Sequence, residues 1–411
     1  MRIFRISSWE GQAGGAQLYI KTVNSFLEQK GHKTHTINIV TEKPDPSLVM
    51  GESIIVGNSF FDMVKLNSRV NNEFLDHLFE QYLRFSPDVV TVHSYGSPFF
   101  QIGEFLKRLD VPIIFNAHDS LLVCPINTLT KPGNIRCEGG VELRCFFTGC
   151  KVGLKLGFDL LKKEYFERTL LNRIGAFICP SRSLANYLHS FGYRPAIHLP
   201  SFVSDPECVP ENVIGKKIVI GYIGRLEKWK GVQYLLKAFN EVSRLIDNVE
   251  LMIAGKGPYE VELRKLTFDL GIQSQVVFLG NISGKRKEEF YAKSNIIVIP
   301  SSSWENHPLT AIEAQLRERP VVGTDFGGIK EIIEDKKTGF IVPFADYSAL
   351  AKTILGLVND PELIIELGKA GRKRAVTRFT PSPHIEMLLK VYGMVLRKET
   401  IDSPMEAANL A

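Results

Sequence analysis

Apolar residues fall into short runs that alternate with longer stretches whose apolar positions recur every three or four residues. Runs at 2–6, 34–40, 88–93, 112–116 and 176–179 predict one series of strands, and runs at 217–223, 250–254, 276–279, 295–299 and 320–324 predict a second. Helical spacing follows the first strand of each series, at Leu18, Ile20, Val23, Phe26 and Leu27, and at Val232, Leu235, Leu236, Phe239 and Val242. Strands alternating with helices imply an α/β protein whose parallel sheets are covered on both faces. The pattern breaks at 199–217, where Pro200, Pro206 and Pro210 interrupt any periodicity, and this stretch is read as a linker. A chain of 411 residues is too long for one core and suits two domains, 1–200 and 201–380. A last helical pattern at 385–396 follows the breaker Pro381-Ser382-Pro383, and a polar tail at 399–411 is expected to fray.

Composition narrows the class. With 44% hydrophobic and 23% charged residues the chain reads as a globular protein, and a net charge of +5 is too diffuse for a nucleic-acid footprint. The absence of an apolar run of about 18 residues, with an N-terminus that enters a strand pattern directly, predicts neither a signal peptide nor a transmembrane helix, and hence a cytoplasmic protein. Residues 151–173 carry six basic and three acidic residues among Leu154, Phe158, Leu161, Tyr165 and Leu170. The stretch is read as an amphipathic helix packed on its own sheet, and the alternative is an interfacial helix making peripheral membrane contact near a lipid-linked acceptor.

The most informative chemistry lies at 304–314, where Glu305 and Glu313 stand eight positions apart across a loop-to-helix junction. Pro308 suits a first helical turn, and Leu309, Ile312 and Leu316 give the helix its apolar stripe. The backbone N–H groups of Leu309 and Thr310 would then open that helix, a place suited to a diphosphate. Carboxylates beside such an anion serve as acceptors for hydroxyls, on a ribose for one and on a transferred sugar for the other. About eighty residues upstream, Arg225 and Lys230 fall in a strand-to-helix loop, where open α/β sheets bind ligands. A guanidinium fork and an ammonium point charge there would neutralise a leaving diphosphate. Gly11–Gly15 after the first strand and His118-Asp119 after the fourth fall at equivalent strand ends; alone, the glycines read equally well as a tight turn and the histidine as a structural residue.

These motifs in this order, Gly14-Gly15, His118-Asp119, Gly224-Arg225 with Lys230-Gly231, Ala254-Gly255-Lys256-Gly257-Pro258, Glu305 with Glu313, and Gly327-Gly328 with Glu331, resemble glycosyltransferase family 4 over nearly the whole chain. Departures are Lys330, where the family usually has proline, and Asn306-His307, where many members carry glycine and an aromatic. The resemblance implies a GT-B fold, two Rossmann-like domains facing each other across a cleft, with a C-terminal segment, 381–411, whose helix crosses back to the first domain. It implies an acceptor-binding first domain and a nucleotide-sugar-binding second domain. In the second domain Gly255 and Gly257 would let the backbone lie close to the nucleotide, and Gly280 would border the base. Gly14 and Gly15 would approach the donor, His118 would orient the transferring sugar, Glu305 would hold sugar hydroxyls and Glu313 the ribose. His93, ending the preceding strand, stands between a structural role and lining the acceptor pocket.

The implied function is retaining transfer of a sugar from a nucleoside-diphosphate sugar to a hydroxyl acceptor, a glycan, polysaccharide precursor or lipid-linked sugar, with no cofactor needed for catalysis. The alternatives are another GT-B enzyme, an epimerase or phosphorylase, or an inactive nucleotide-sugar-binding paralogue. Cys124, Cys137, Cys145 and Cys150 cluster within twenty-seven residues, in a loop at about 120–150. Their spacing leaves a structural zinc site, free thiols, and an iron–sulfur or redox arrangement open, with zinc favoured.

Overall fold

The computed structural model describes residues 1–9, 15–40, 51–55, 72–93, 99–131, 135–150, 154–399 and 405–406. The chain divides into two compact units, one of Met1–Asn127, Glu138–Leu199 and His384–Ala411, the other of Thr128–Cys137 and Pro200–Pro383.

Sixteen strands are described: β1 (Arg2–Trp9), β2 (Lys33–Val40), β3 (Glu52–Ile55), β4 (Val89–His93), β5 (Ile113–Asn116), β6 (Thr130–Lys131), β7 (Ile135–Arg136), β8 (Ile174–Cys179), β9 (Ala196–His198), β10 (Ile218–Ile223), β11 (Val249–Ala254), β12 (Val276–Gly280), β13 (Ile296–Ile299), β14 (Val321–Thr324), β15 (Gly339–Val342) and β16 (Met405–Glu406). The first unit holds a sheet of order β16-β9-β8-β5-β4-β1-β2-β3, and the second a sheet of order β12-β11-β10-β13-β14-β15. All pairings in both sheets are parallel. In each the chain walks outward from a central strand, returns, and continues on the other side, so strand order reverses between β1 and β4 in the first unit and between β10 and β13 in the second. Such switch points leave a crevice outside the carboxyl ends of the strands.

Burial in the second unit shows why its runs are continuously apolar. Successive residues of a strand point to opposite faces, and here both faces are covered. Ile296 and Val298 pack with Leu235, Leu236 and Phe239 on one face, while Ile297 and Ile299 pack with Ala311, Ile312 and Ile329 on the other. The helix Val232–Ser243 buries all five of its anticipated apolar positions. In the first unit the helix Gly15–Gln29 buries Ile20, Val23 and Leu27 but turns Leu18 to solvent.

All ten anticipated strands are present, and two features differ from expectation, whereas the helix within 151–173 packs on its own unit as anticipated. The segment Pro381-Ser382-Pro383 does not break a helix: it opens one, Pro381–Leu396, because a proline in a first turn has no N–H to lose. The hairpin of β6 and β7, inside the cysteine-rich loop, belongs to the second unit. There the Trp304 N–H donates to Thr128 O at 3.0 Å, and Arg136 donates to Asp325 Oδ2 at 2.7 Å with its guanidinium over the rings of Phe326 and Phe344. The helix Leu154–Thr169 buries Phe166 against Phe115 and Phe177, while Tyr165 packs on Phe99 and Phe100 and donates to Glu104 Oε1 at 2.8 Å. Among the described residues no helix is long and apolar enough to cross a membrane.

Arg319 ties the start of the second unit to its sheet. Fully buried, it donates to the carbonyls of Tyr291, Pro210, Arg317, Glu211 and Ala292 at 2.7–3.3 Å. Arg319→Met keeps the volume but strands these acceptors, so it should lower the unfolding free energy by about 3 kcal/mol or more in urea titration. A loss below about 1 kcal/mol would show that this network is not structural glue.

Candidate functional site

At the switch point of the second unit, three glycines and the backbone they touch bring the charged residues together. Gly231 caps Val232–Ser243 in the left-handed region at φ 74°, and a Cβ there would lie 1.8 Å from Pro300 O. Only glycine allows that approach, which lets the Ser302 N–H donate to Trp229 O at 2.9 Å and sets Lys230 beside the end of β13. Gly327, at φ 73°, lies against Glu305 in the same way, a Cβ there falling 2.1 Å from Glu305 O, and the Gly328 N–H donates to that oxygen at 2.8 Å. The Gly327-Gly328 motif therefore holds the backbone of Glu305.

The result is an ion pair. Lys230 Nζ donates to Glu305 Oε1 at 2.6 Å, and Ser301 Oγ donates to the same oxygen at 2.6 Å. Both partners are largely buried, with side-chain exposures of 19% and 10%. Sequence reading sends these residues to different parts of a ligand, whereas the fold places them in contact. The indole of Trp229 gathers the cations, with Lys230 Nζ 4.3 Å and Arg225 Cζ 5.5 Å from its ring centroid. Arg225 is exposed, its guanidinium 4.0 Å from Glu227, while its carbonyl accepts from the buried Tyr222 hydroxyl at 2.8 Å.

The helix Leu309–Leu316 begins at Pro308 with no side-chain cap and no acidic residue in its first turn. Thr310 Oγ1 donates to Ile223 O at 3.5 Å, which sets this N-terminus beside the end of β10. Glu313 lies a turn further in and is held by the helix Gly284–Lys293: Lys287 Nζ donates to Oε1 at 2.9 Å and the Tyr291 hydroxyl to Oε2 at 2.8 Å. Burial and then the Glu313 charge keep the Tyr291 phenol well above its ordinary range, so it stays a donor. Two bonds occupy half of a carboxylate's acceptor capacity, so Glu313 retains sites for hydroxyls.

Gly255 and Gly257 have a further reason to be glycine. A Cβ on Gly255 would lie 1.8 Å from Gly224 O, and one on Gly257 2.3 Å from Leu226 O. They let the loop after β11 lie directly on the loop carrying Arg225, fixed by the Gly224 N–H to Ala254 O at 3.0 Å and the Leu226 N–H to Lys256 O at 2.9 Å. Gly280, at φ 67°, accepts from the Gly255 N–H at 2.7 Å and continues this layer.

In the first unit, Gly14 lies outside the described residues, and Gly15 opens the first helix. His93 ends β4, and His118 follows β5 by two residues, so both stand at the carboxyl edge beside that unit's switch point. Their rings stack at 5.2 Å between centroids, with His93 Nδ1 2.9 Å from His118 Nε2. Behind them Arg5 is fully buried within β1; its Nη1 lies 3.0 Å from His93 Nε2 and its Nε donates to Asn24 Oδ1 at 2.6 Å. Sequence reading missed Arg5, although a guanidinium inside an apolar strand run is the signal that finds it. Asp119 accepts from the Leu121 N–H at 3.0 Å, and burial outweighs that bond to raise its carboxyl above the usual value.

The cysteines do not assemble as anticipated. Among the described residues no group of three or more His, Cys, Asp or Glu side chains is placed to hold a metal ion. Cys124, Cys145 and Cys150 belong to the first unit and Cys137 to the second, and none of the four is in a disulfide among the described residues. Cys145 instead donates to Gly140 O at 3.5 Å, and Cys150 Sγ accepts from Thr148 Oγ1 at 3.4 Å. Backbone bonds such as Gly140 N–H to Val123 O at 2.7 Å run within this loop.

Burial, and then the Arg5 charge, lower His118 to about 4, and burial, Arg5 and His118 hold His93 well below its ordinary value of 6.5. Between pH 6.5 and about 4 the unfolded chain binds protons at these sites that the folded chain refuses, so stability rises with pH there and is lost as pH falls through the window. The stability of the wild type minus that of the double variant His93→Gln/His118→Gln should therefore decrease from pH 7 to pH 4.5 in urea titrations. A difference that stays constant with pH would contradict this.

Comparison with known proteins places the chain. Residues 13–200 match the family model described as Glycosyltransferase Family 4, and residues 206–374 the model described as Glycosyl transferases group 1. The chain is 30% identical over 212 residues to the capsular polysaccharide biosynthesis glycosyltransferase CapM of Staphylococcus aureus, a match covering 51% of this chain and 55% of CapM. It is 29% identical over 246 residues to the GDP-mannose-dependent alpha-(1-6)-phosphatidylinositol monomannoside mannosyltransferase of Mycolicibacterium smegmatis, covering 54% of this chain and 64% of that protein. The chain thus spans about half the length of the curated relatives it matches. Among solved structures, HepE of Anabaena in complex with UDP superposes with a TM-score of 0.71 at 15% identity, over 96% of this chain and 100% of that one. With adjoining family models over both units and this likeness of fold, the chain belongs to glycosyltransferase family 4 and has the GT-B fold.

Proposed function

We propose that this chain is a retaining hexosyltransferase that moves a sugar from a nucleoside-diphosphate donor to a hydroxyl of a glycan or lipid-linked acceptor. The observation that carries the reading is the arrangement at the β10/β13 switch point: two cations sharing one indole, an uncapped helix N-terminus, and two carboxylates with acceptor sites to spare. A diphosphate binds the first two and the hydroxyls of ribose and sugar bind the third.

In this reading Arg225, Lys230 and the N–H groups of Leu309 and Thr310 take up the charge developing on the leaving diphosphate. The Lys230–Glu305 pair gains a further role, since a phosphate arriving at Lys230 draws the ammonium toward itself and loosens its hold on Glu305 Oε1. Glu305 is then released to bind the hydroxyls of the sugar attached to that phosphate. Glu313, backed by Lys287 and Tyr291, holds the ribose. His118 hydrogen-bonds the transferring sugar, a role that rests on the resemblance. The proton of the acceptor passes to the leaving phosphate oxygen on the same face, which gives retention. UDP bound to HepE and the GDP-mannose dependence of the mycobacterial relative support a nucleoside-diphosphate donor, and they differ in base. The names of CapM and of that mannosyltransferase support a polysaccharide or lipid-linked acceptor.

Removing the charge partner should be costly. Arg225→Ala and Lys230→Ala should each lower turnover by roughly 10²–10³-fold, the scale of losing one transition-state donor. Near-wild-type turnover in both would reject the clamp. Release of nucleoside diphosphate should also require acceptor; release without one would indicate a hydrolase or another GT-B activity.

The glutamates separate in binding. Glu313→Gln should weaken the free nucleoside diphosphate in calorimetry, whereas Glu305→Gln should spare it and weaken only the sugar-bearing donor. The opposite pattern would exchange the two roles.

A further inference from the structure

The hydrogen bonds behind His118 run in one direction only. A guanidinium donates and cannot accept, so the contact of Arg5 Nη1 with His93 Nε2 at 3.0 Å makes that nitrogen the lone-pair nitrogen of its ring. The His93 proton must then sit on Nδ1, which points at His118 Nε2 at 2.9 Å. His118 Nε2 therefore accepts, and the His118 proton sits on Nδ1. Reversing the wiring sets N–H against N–H between Arg5 and His93, and protonating either ring fully does the same at one of the two contacts. The Thr91 hydroxyl fits this direction, accepting from Arg5 Nη1 at 3.3 Å and donating to His93 Nε2 at 3.3 Å.

The driver of the chain is rigid. Arg5 is fully buried, its Nε is fixed by Asn24 Oδ1, and Asn24 Nδ2 in turn donates to Thr36 Oγ1 at 2.9 Å. Among the described residues no carboxylate pairs with this guanidinium, so its charge is spent polarising the neighbours it donates to. The edge of Tyr19 meets the His118 ring at 5.3 Å between centroids, and the Tyr19 hydroxyl lies 2.9 Å from His384 Nε2. Among the described residues the charged and titratable groups facing the two imidazoles include a cation, a neutral phenol and each other, and burial with that cation keeps both rings unprotonated.

We propose that Arg5 and His93 are positioning residues which lock His118 as the neutral tautomer protonated on Nδ1, so that it meets an acceptor oxygen of the sugar as a polarised hydrogen-bond donor and not as a base. The functional half rests on the reading of His118 as a sugar contact; the tautomer does not. A general base needs its lone pair toward the proton it takes, and the relay turns the lone pair of His118 inward.

The test uses the full chain with ring-¹⁵N histidine, His118 being assigned by the loss of its signals in His118→Gln. Two-bond ¹H–¹⁵N correlation at pH 7 without substrate should show His93 and His118 both protonated on Nδ1. Protonation of His118 on Nε2 in the wild type would overturn the relay, with no variant needed. Arg5→Met should mix the tautomers at both rings; an unchanged pattern would also overturn it. His93→Gln keeps an amide donor for His118 Nε2 and should retain the Nδ1–H form, whereas His93→Leu should lose it; identical spectra for the two would count against the proposal. In turnover, Arg5→Met should lower kcat by about tenfold or more with little change in KM, since a histidine in the wrong tautomer is disabled. A shifted tautomer with unchanged kcat would reject the functional half. A wild type that transfers no sugar from any donor, yet shows the expected spectra, would reject the proposed function and leave the relay standing.

Discussion

The contact on which the second unit's site depends is the ion pair between Lys230 and Glu305. Two largely buried ions are costly to desolvate, and a pair of this kind contributes little net stability compared with an apolar replacement. Its presence is therefore better explained by what it does than by what it stabilises. The fold commits two glycines to it, Gly231 delivering the lysine and Gly327 the glutamate, each through a backbone approach that any Cβ would prevent. The same constraint recurs at Gly255 and Gly257 under the Arg225 loop. Glycines that a motif-based reading assigns to ligand approach are here first required by loop-on-loop packing, which then determines where the side chains of the candidate site stand.

Much of the fold was legible because a sheet covered on both faces leaves an unambiguous trace. Every residue of β13 must be apolar, since Ile296 and Val298 serve one core cluster and Ile297 and Ile299 the other. The elements that were missed lack this trace. β15 is Gly-Phe-Ile-Val at a sheet edge, with only its end residues buried, and β9 has three residues. The hairpin Thr130–Arg136 is legible only through partners more than a hundred residues away, Trp304 and Asp325. Periodicity is local and cannot register such contacts.

The candidate site stands in the sequence by residue type but not by connectivity. Charge and spacing identified Arg225, Lys230, Glu305 and Glu313, yet which cation meets which carboxylate is decided by the crossing of loops. Lys287 and Tyr291 hold Glu313 from a helix whose sequence, rich in lysine and glutamate, reads as an ordinary solvated face. The cysteines are divided between the units: Cys137 belongs to the segment Thr128–Cys137 of the second, and Cys124, Cys145 and Cys150 to the first.

The two units solve one problem with different chemistry. Each places its charged and titratable groups at the strand ends where its sheet order reverses, β10 with β13 in one and β1, β4 and β5 in the other. In the second unit the cation, Lys230, is compensated by a carboxylate, which in the proposed function it exchanges for an arriving anion. In the first, Arg5 is buried without a carboxylate among the described residues, fixed by neutral acceptors, and has nowhere to move. A movable cation suits a charge that appears during a reaction and leaves with the product. A fixed one suits a hydrogen-bond donor whose direction must not change, and the two histidines carry that direction from the buried strand to its carboxyl edge.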